Sequence, residues 1–331
     1  MSLVDQAGNV RQGEELDPSV IKEYFKQVLP DISGDIAITQ FPGGASNLTY
    51  QVSIDKQDFI LRRPPFGNIA KSAHDMLREA KIIDALKPVY PYVPKIISMC
   101  DDHSILGCDF YVMEKLNGII PRQNMPKELT LDKTQARALC LSVLDKLIEL
   151  HSVDIQATGL DSLGKGTGYV ERQIVGWSDR YVKAKTDDAT DFDQVMKWLK
   201  DNMPQDCGQS LIHNDFRFDN VVLNVDDPLE VIGVLDWEMA TVGDPLMDLG
   251  NSLAYWVEAG DEPQFQMMRR QPTHLAGMLS RQEVIDYYLE KSGRKVASFA
   301  FYEIYGLFRL AVIIQQIYYR FYHGQTQDKR F

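Results

Sequence analysis

The stretch "LIHNDFRFDNVVLN", residues 211–224, places several polar side chains between two apolar segments. Asp215 and Asn220 are five residues apart, and His213 precedes Asp215 by two. After a turn, the predicted strand "EVIGVLD" ends at Asp236. Because polar groups are costly to bury without partners, this concentration of carboxylate, amide and imidazole groups indicates a site for chemistry.

This spacing is what phosphoryl transfer needs. One carboxylate must accept the proton of an acceptor hydroxyl, while one amide and one carboxylate hold magnesium against the nucleotide phosphates. We predict Asp215 as the base and Asn220 and Asp236 as the metal ligands, with ATP and Mg²⁺ as the cofactors. His213, expected to brace the loop, and Arg217 complete the candidate catalytic residues.

The composition limits the classes of partner. A chain of 331 residues suits two lobes or domains. Its 35 Lys and Arg against 47 Asp and Glu leave a net charge of −12, which disfavours nucleic-acid binding. The four cysteines form no C-x-x-C motif, which favours reduced thiols in a cytosolic protein. The sequence does not indicate an oligomeric state.

No segment has the pattern of a signal peptide or a membrane span. The first residues are polar, without a basic and then apolar run. The apolar segment 304–319 is interrupted by Arg309, Gln315 and Gln316, which is typical of a buried helix. We therefore predict a cytoplasmic protein without a membrane partner.

Residue periodicity divides the chain into a strand-rich first part and a helical remainder. Residues 18–29 repeat apolar side chains at helical spacing, after Asp17 and Pro18 at the N-cap and first-turn positions. The next part predicts three consecutive antiparallel strands, a helix at 69–87 and two more strands. The strand sequences are "DIAITQF", "NLTYQVSI", "DFILRRP", "KIISMCDD" and "CDFYVMEKLNG". Further helices are predicted at 133–150, 169–186, 191–202, 281–292 and 298–322.

The motif pieces together resemble a known family. "HNDFRFDN", "VLDWE" and "GDPLMDLGN" resemble the aminoglycoside phosphotransferase-like (choline-kinase-type) branch of the protein-kinase superfold. "FILRRPP", "FYVMEKLNG" and "ERQIVGWSDRY" resemble a subgroup whose members in animals are fused to acyl-CoA dehydrogenases. The resemblance covers about residues 30–320 and implies a kinase that acts on a small molecule.

The resemblance also implies the organisation of the chain. We expect an α+β, protein-kinase-like two-lobe fold, whose small lobe has a five-stranded antiparallel sheet plus a helix and whose larger lobe is mainly helical. The expected parts are a flexible arm (1–17), a nucleotide-binding lobe (18–117) and a catalytic and acceptor-binding lobe (118–331).

The join between the first two strands is a candidate phosphate loop. Gly43 and Gly44 permit a close approach of the backbone to a ligand. The N–H groups of the next three residues would face phosphate oxygens; these are Ala45, Ser46 and Asn47.

The third strand supplies a candidate cation. Ile60 and Arg62 share one face of a strand, and in the kinase pattern the adenine-packing residue and the cation are two apart. The resemblance therefore assigns Ile60 to adenine and Arg62 to phosphate, where most of the family has lysine. It also implies that Glu79 pairs with Arg62. The end of the fifth strand would be the hinge, with adenine against the backbone of Glu114 and Leu116 and against Met113.

The acceptor side is less defined in the sequence. The candidates are arginines and aromatic residues: Arg217, Tyr169, Arg172, Trp177, Arg180, Tyr255 and Trp256. Such a set suits an acceptor with a carboxylate or phosphate, such as a hydroxy acid or its CoA thioester. A site for aminoglycosides would be rich in carboxylates instead.

Three other functions are less well supported. A nucleotide-binding pseudokinase is favoured only by arginine at position 62. A protein kinase would require an Ala-Pro-Glu segment and a long activation loop, and residues 237–300 have neither. A hydrolase of the common motif classes would require G-x-S-x-G or H-E-x-x-H, and neither occurs.

Overall fold

The computed structural model describes residues 4–42, 47–66 and 75–325. The chain divides into two compact units. The first unit comprises Met1–Pro121, Met125–Thr130 and Asp219–Ala240. The second comprises Arg122–Asn124, Leu131–Phe218 and Thr241–Phe331. The first unit thus includes a segment that the predicted lobe boundary after residue 117 assigns to the second lobe.

The first unit is built on the predicted five-stranded antiparallel sheet. Its strands are β1 (Ile36–Gln40), β2 (Leu48–Ile54), β3 (Gln57–Arg63), β4 (Ile96–Cys100) and β5 (Phe110–Glu114). They lie in the order β1-β2-β3-β5-β4, and every neighbouring pair is antiparallel. The helices of this part are α1 (Pro18–Val28), α2 (Met76–Leu86) and the short α3 (His103–Leu106).

Helix α1 begins and packs as its sequence predicts. The Asp17 side chain accepts the N–H of Ser19, and Pro18 occupies the first turn. Ile21 and Phe25 are fully buried in one apolar cluster with the side chains of one sheet face. That face includes Tyr50, Val52, Phe59, Leu61, Phe110 and Val112.

The stretch before α1 is attached to the sheet. Gly8 and Gln40 exchange backbone hydrogen bonds of 2.8 and 2.9 Å, and the Tyr50 hydroxyl donates to the Glu14 carbonyl oxygen at 2.7 Å. Leu16 is buried in the α1 cluster. These contacts differ from the flexible arm predicted for residues 1–17.

Helix α2 begins at Met76 in the described chain. Asp75 caps it by accepting the N–H of Arg78 at 2.8 Å. The earlier part of the predicted helix, from residue 69, falls mostly on residues 67–74, outside the described residues.

Four short strands follow in the chain: β6 (Ser210–Ile212), β7 (Val221–Leu223), β8 (Val231–Val234) and β9 (Thr241–Gly243). In the first unit, β7 pairs with β8, and Leu223 also bridges to Ile119. In the second unit, β6 pairs with β9. The predicted strand "EVIGVLD" corresponds to β8.

The second unit is mainly helical, as predicted. Its helices are α4 (Lys133–His151), α5 (Tyr169–Ala184), α6 (Asp193–Asp201), α7 (Pro245–Leu253), α8 (Pro263–Met267), α9 (Arg281–Ser292) and α10 (Ala300–Tyr322). The five helices predicted for this region agree with α4, α5, α6, α9 and α10 to within two residues at each end. In the described residues, no helix combines the length and the apolar character that crossing a membrane requires.

Helices α7 and α10 approach at two glycines. A Cβ atom placed on Gly306 would lie 2.1 Å from the Gly250 carbonyl oxygen. A Cβ atom placed on Gly250 would lie 2.4 Å from the Tyr302 carbonyl oxygen. The two backbones are therefore closer than any side chain at these positions would allow. This contact holds α7, which carries Asp248, against the longest helix of the unit.

Candidate active site

Arg62 on β3 contacts two acidic side chains of the first unit. Its Nη1 donates to Oε1 of Glu79 on α2 at 2.8 Å, and its Nη2 donates to Oδ1 of Asp236 at 3.1 Å. Arg62 and Glu79 are both buried, with 9% and 0% of their surface exposed. The expected pair between the strand cation and the helix glutamate is present, while its part in nucleotide binding stays a prediction.

Burial and charge act in opposite directions on this pair. Burial disfavours the charged guanidinium, but Glu79 and Asp236 outweigh that effect and hold the pKa of Arg62 well above its usual value. Burial raises the pKa of Glu79, and Arg62 counteracts the rise. The side chain of Asp236 remains 35% exposed. A permanent cation therefore lies beside a carboxylate that solvent still reaches.

The strand alternation used to choose Ile60 and Arg62 is observed. In the β3–β5 register Ile60 lies opposite Met113, and Arg62 lies opposite Tyr111. Ile60 and Met113 are buried, with 6% and 7% exposed. The other β3 face, with Leu61, packs in the α1 cluster. The two residues predicted to contact adenine thus share one sheet face with Arg62.

Asn220 and Asp236 flank the β7–β8 hairpin. Asn220 directly precedes β7, and Asp236 follows β8 by two residues. The Leu235 N–H donates to the Asn220 carbonyl oxygen at 2.8 Å, which joins the two ends. Asp236 has a left-handed backbone with φ 68°, so the chain turns sharply after β8. The hairpin therefore holds both predicted metal ligands at its two neighbouring ends.

The segment after Asp236 is fixed to α2 and β2. Arg78 donates to the carbonyl oxygen of Glu238 at 3.2 Å and to that of Ala240. Asn47 Nδ2 donates to Glu238 Oε2 at 2.8 Å. The remaining predicted phosphate-loop residues lie outside the described residues: Gly43, Gly44, Ala45 and Ser46.

The hinge candidates lie at and beyond the end of β5. The Glu114 N–H donates to the Lys95 carbonyl oxygen at 2.9 Å, and the Glu114 carboxylate accepts the Lys95 N–H at 2.7 Å. The backbone of Glu114 can therefore offer adenine only its carbonyl oxygen. The Leu116 side chain packs against Gly233 on β8.

In the second unit, the buried carboxylate of Asp248 on α7 holds the loop that carries Asp215. It accepts the backbone N–H of His213 at 2.8 Å and that of Asn214 at 2.7 Å. Asn214 has a left-handed φ of 65°. The Asp215 N–H donates to Nδ1 of His213 at 3.2 Å. The sharp turn before Asp215 is thus fixed from both sides by side-chain acceptors.

A second line of contacts supports Asp248. His151 Nε2 lies 3.1 Å from Oδ2 of Asp248, and His151 Nδ1 lies 2.6 Å from the Tyr288 hydroxyl. The tautomer with its proton on Nε2 would donate to Asp248 and accept from the Tyr288 hydroxyl at Nδ1. Burial would raise the pKa of Asp248, but the hydrogen bonds from His151 and from the His213 backbone outweigh it and lower the pKa. Asp248 is therefore ionised at neutral pH.

Asp215 faces a cationic and aromatic neighbourhood within the second unit. Arg217 Nη1 lies 2.9 Å from Asp215 Oδ1, and both side chains are largely buried. The Arg217 guanidinium lies 4.6 Å from the centre of the Tyr255 ring. Gln271 accepts the Phe218 N–H at 3.0 Å and so fixes the end of this stretch. Asp215 and Arg217 therefore form an ion pair beside Tyr255.

The other acceptor candidates separate into two groups. Trp177 lies under the Arg180 guanidinium, 4.4 Å from it, and the Tyr169 hydroxyl donates to Oδ1 of Asn214 at 3.3 Å. Arg172 instead donates to the carbonyl oxygens of residues 166 and 167. Trp256 is buried, and its Nε1 donates to the Leu279 carbonyl oxygen at 2.9 Å. Arg172 and Trp256 thus serve local structure.

The structure also adds residues that sequence reasoning missed. Arg309 on α10 is 4% exposed, and its Nη2 donates to the Asn214 carbonyl oxygen at 3.1 Å. Gln271 bonds to the end of the loop at Phe218, whereas His151 and Tyr288 support the loop indirectly through Asp248. For Arg309 a signal existed in the sequence, because a charged residue interrupts an otherwise apolar helix. The others have no local signal.

Comparison with known proteins identifies a family. The model of the phosphotransferase enzyme family (APH) matches residues 37–283. Acyl-CoA dehydrogenase family member 10 of Mus musculus is 34% identical over 96% of this chain, which spans 30% of that protein. Acyl-CoA dehydrogenase family member 11 of Rattus norvegicus is 33% identical over 99% of this chain, which spans 43% of that protein. The chain therefore spans less than half the length of these curated relatives.

Solved structures show the same fold. A protein of Ralstonia eutropha, provisionally classed as an aminoglycoside phosphotransferase, has a TM-score of 0.80 at 28% identity, covering 95% of this chain and 92% of its own. Choline kinase from Cryptosporidium parvum has a TM-score of 0.57 at 13% identity, covering 93% and 96%. The predicted α+β kinase-like fold and the family resemblance are confirmed: the chain belongs to the phosphotransferase enzyme family.

Proposed function

We propose that this chain is an ATP- and magnesium-dependent kinase that transfers the γ-phosphoryl group to a hydroxyl of a small metabolite. The observation that carries the proposal is the chain of contacts from the buried Glu79 through the buried Arg62 to the partly exposed Asp236. A guanidinium that is held by one buried glutamate and directed at a second carboxylate matches a site for phosphate oxygens beside a metal ion.

The residues present fit a magnesium ion. Asn220 and Asp236 offer one amide and one carboxylate oxygen from neighbouring ends of a hairpin, and magnesium prefers hard oxygen ligands, only a few of them from protein. Both side chains would hold the ion. When bound, magnesium neutralises charge on the phosphates. Arg62 supplies a second positive charge in a fixed orientation, so little reorganisation is needed during transfer.

Asp215 is the proposed base. Its backbone is fixed by His213 and by the Asp248 contacts, so its carboxylate has a defined direction. It would accept the proton of the acceptor hydroxyl as the oxygen bonds to the γ-phosphorus and the bond to the ADP oxygen breaks. Arg217 pairs with the Asp215 carboxylate, with Nη1 at 2.9 Å from Oδ1. The chain's part in the reaction is therefore positioning and charge stabilisation.

A hydroxy acid or a hydroxyacyl-CoA is the proposed acceptor class. Arginine and aromatic side chains near Asp215 support it, because arginine pairs well with carboxylate and phosphate oxygens. The acyl-CoA dehydrogenase relatives supply a reason to include CoA thioesters in a test. Nucleotide use is supported by a neighbour of the same fold, an aminoglycoside phosphotransferase whose structure is a complex with AMP-PNP and hygromycin B.

The proposal is tested by ADP release from purified protein with ATP and magnesium. The pooled acceptors are hydroxy acids, hydroxyacyl-CoAs, aminoglycosides, amino alcohols and sugars, and Asp215→Asn is the control. We expect release with one pool, and a loss of kcat by about 10²–10⁴ in Asp215→Asn. ATP should raise the melting temperature of both proteins equally. ATP-dependent stabilisation without transfer to any pool would favour a pseudokinase instead, and no stabilisation by ATP would refute nucleotide binding.

A further inference from the structure

Arg309 is a buried cation without an acidic partner in the described part of the chain. Its contacts there are one hydrogen bond to the Asn214 carbonyl oxygen and the Trp177 ring, whose centre lies 5.2 Å from the guanidinium. Buried arginines are normally paired with carboxylates, because an uncompensated buried charge is costly. A buried cation that forms no direct ion pair beside the Asp215 loop therefore calls for an explanation.

A second arginine lies on the same indole. Arg180 on α5 is exposed, and its guanidinium lies 4.4 Å from the Trp177 ring centre. Like Arg309, it has no carboxylate within salt-bridge distance among residues 4–42, 47–66 and 75–325. Two other arginines of the second unit do form ion pairs, Arg217 with Asp215 and Arg281 with Asp261.

The two arginines lie close to one tyrosine. Burial raises the pKa of Tyr305 to about 12, while Arg309 and Arg180 both act to lower it. The Tyr305 hydroxyl is therefore near both guanidinium groups. Together Arg309, Arg180, Trp177 and Tyr305 form a cluster on α5 and α10, here called the arginine–indole cluster. It combines two cations and two hydrogen-bonding aromatic rings with no internal acid.

The cluster is close to the proposed base. Burial raises the pKa of Tyr255, Asp215 raises it further, and Arg217 and Arg309 lower it. Arg309 Nη2 donates to the carbonyl oxygen of Asn214, the residue directly before Asp215. The Arg217 guanidinium, which pairs with Asp215, lies 4.6 Å from the Tyr255 ring centre. All these residues belong to the second unit. A single small molecule that reaches Asp215 with a hydroxyl could reach the cluster with another group.

We propose that the arginine–indole cluster binds an oxyanion of the acceptor, a carboxylate or a phosphate, while the acceptor hydroxyl lies at Asp215. The proposal rests on the proposed kinase function and narrows it to acceptors that carry a negative charge. Arg309 is the buried anchor, and Arg180 closes on the anion from the solvent side. Trp177 keeps both guanidinium planes in place by stacking.

The test compares charged acceptors with neutral ones of equal length. The probes are terminal hydroxy acids of three to six carbons, their CoA thioesters, and the matched hydroxyamides. The variants are Arg309→Gln, Arg309→Lys and Arg180→Gln, with Arg320→Gln as a control at the exposed end of α10. Initial rates give kcat and KM, and calorimetry with Asp215→Asn measures acceptor binding without turnover.

We expect the wild type to use or bind a charged probe and to reject its hydroxyamide. Arg309→Gln and Arg180→Gln should raise KM, or the dissociation constant, for that probe by about 10- to 100-fold with a smaller change in kcat. Arg309→Lys should recover part of the loss, and Arg320→Gln should match the wild type. Preference for hydroxy acids would identify a carboxylate as the anion, and preference for CoA thioesters would identify the CoA phosphates.

Three results would overturn the proposal. One is equal use of acids and amides, and another is the absence of binding of every charged probe. The third is an equal fall in kcat for all acceptors in Arg309→Gln without a change in KM, which would limit Arg309 to holding the Asn214 turn. If Arg309→Gln does not fold, Arg180→Gln decides, because its side chain is exposed. Phosphorylation of neutral probes that is lost in Asp215→Asn would preserve the kinase function while refuting the anion site.

Discussion

Arg62 and Asp236, 174 residues apart in the chain, are joined by a hydrogen bond of 3.1 Å between Nη2 and Oδ1. The same guanidinium is held from the other side by Glu79, which is completely buried. This relationship makes Arg62 the residue that connects the sheet, α2 and the segment after β8.

Removing Arg62 alone should destabilise the protein strongly. Arg62→Ala leaves Glu79 buried without its partner, and such a loss costs about 3–5 kcal/mol in the free energy of unfolding. The double change Arg62→Met with Glu79→Leu should cost much less, because no buried charge remains. Urea unfolding with and without ATP measures both effects, and ATP should stabilise neither variant.

An exposed ion pair provides the matched control. Arg137 and Glu283 lie 2.9 Å apart, with about half of each side chain exposed. Arg137→Ala should cost less than about 1 kcal/mol. If Arg62→Ala and Arg137→Ala lower the free energy of unfolding equally, the buried pair contributes no more to stability than the exposed one.

Replacing Asp236 should change the magnesium requirement before it changes the fold. In Asp236→Asn the amide oxygen can still accept from Arg62, but the metal loses its charged ligand. We expect the magnesium concentration for half-maximal ADP release to rise by at least about tenfold. Asp58→Asn, on β3 and bonded to Ser53 and Lys115, is the control and should leave the magnesium dependence unchanged. An unaltered titration curve in Asp236→Asn would remove this residue from the metal site.

The Asp248 contacts predict a particular loss of stability in acid. The pKa of Asp248 is lowered from the usual value of 3.8, so its contribution is complete above that value and is lost as pH falls through the folded-state pKa. The difference in free energy of unfolding between wild type and Asp248→Asn should be about 2–3 kcal/mol at neutral pH and should shrink below about pH 3.8. Urea titrations at a series of pH values measure it.

Asp286→Asn is the control for that series, because Asp286 is exposed on α9 and bonded only to Gln282 among the described residues. The free energy of unfolding of Asp286→Asn should stay close to that of the wild type at every pH of the series. A constant difference for Asp248→Asn across the acid range would show that the lost stability comes from packing and not from the charge.

Replacing two helical glycines by alanine should change the free energy of unfolding in opposite directions. Gly306→Ala places a Cβ atom against the Gly250 carbonyl oxygen, so we expect a loss of about 1–3 kcal/mol or more. Gly176 lies within α5, and no atom lies within 4 Å of its added Cβ. Gly176→Ala should therefore stabilise the protein by about 0.5–1 kcal/mol, because alanine favours the helix. Thermal unfolding of both variants checks the signs, and a Gly306→Ala variant as stable as the wild type would contradict the close approach of α7 and α10.

The sequence predicted what depends on local pattern. The cap at Asp17 and Pro18, the strand alternation around Arg62 and the helix bounds follow from neighbouring residues. Arg62 and Glu79 are 17 residues apart, and their pairing could be predicted from the spacing that is typical of the family. The fold class followed because strands and helices occur in a recognisable order.

Contacts that depend on how the helices pack could not be predicted from the sequence. Arg309 reaches Asn214 across 95 residues, and Tyr288 reaches His151 across 137. No periodicity encodes which turn of α10 faces the loop, because that depends on how closely α7 and α10 approach. The contacts of residues 8–16 with the sheet were missed for a related reason, since a polar stretch with few apolar residues carries little sign of its backbone pairing.

The membership of Asp219–Ala240 in the first unit has a consequence for synthesis of the chain. An N-terminal domain usually folds while later residues are still being added by the ribosome. Here the β7–β8 hairpin, with its bridge to Ile119 and its contact between Asp236 and Arg62, does not exist until residue 240 has been made. The first unit is therefore completed only when half of the second, Arg122–Asn124 and Leu131–Phe218, has already been translated.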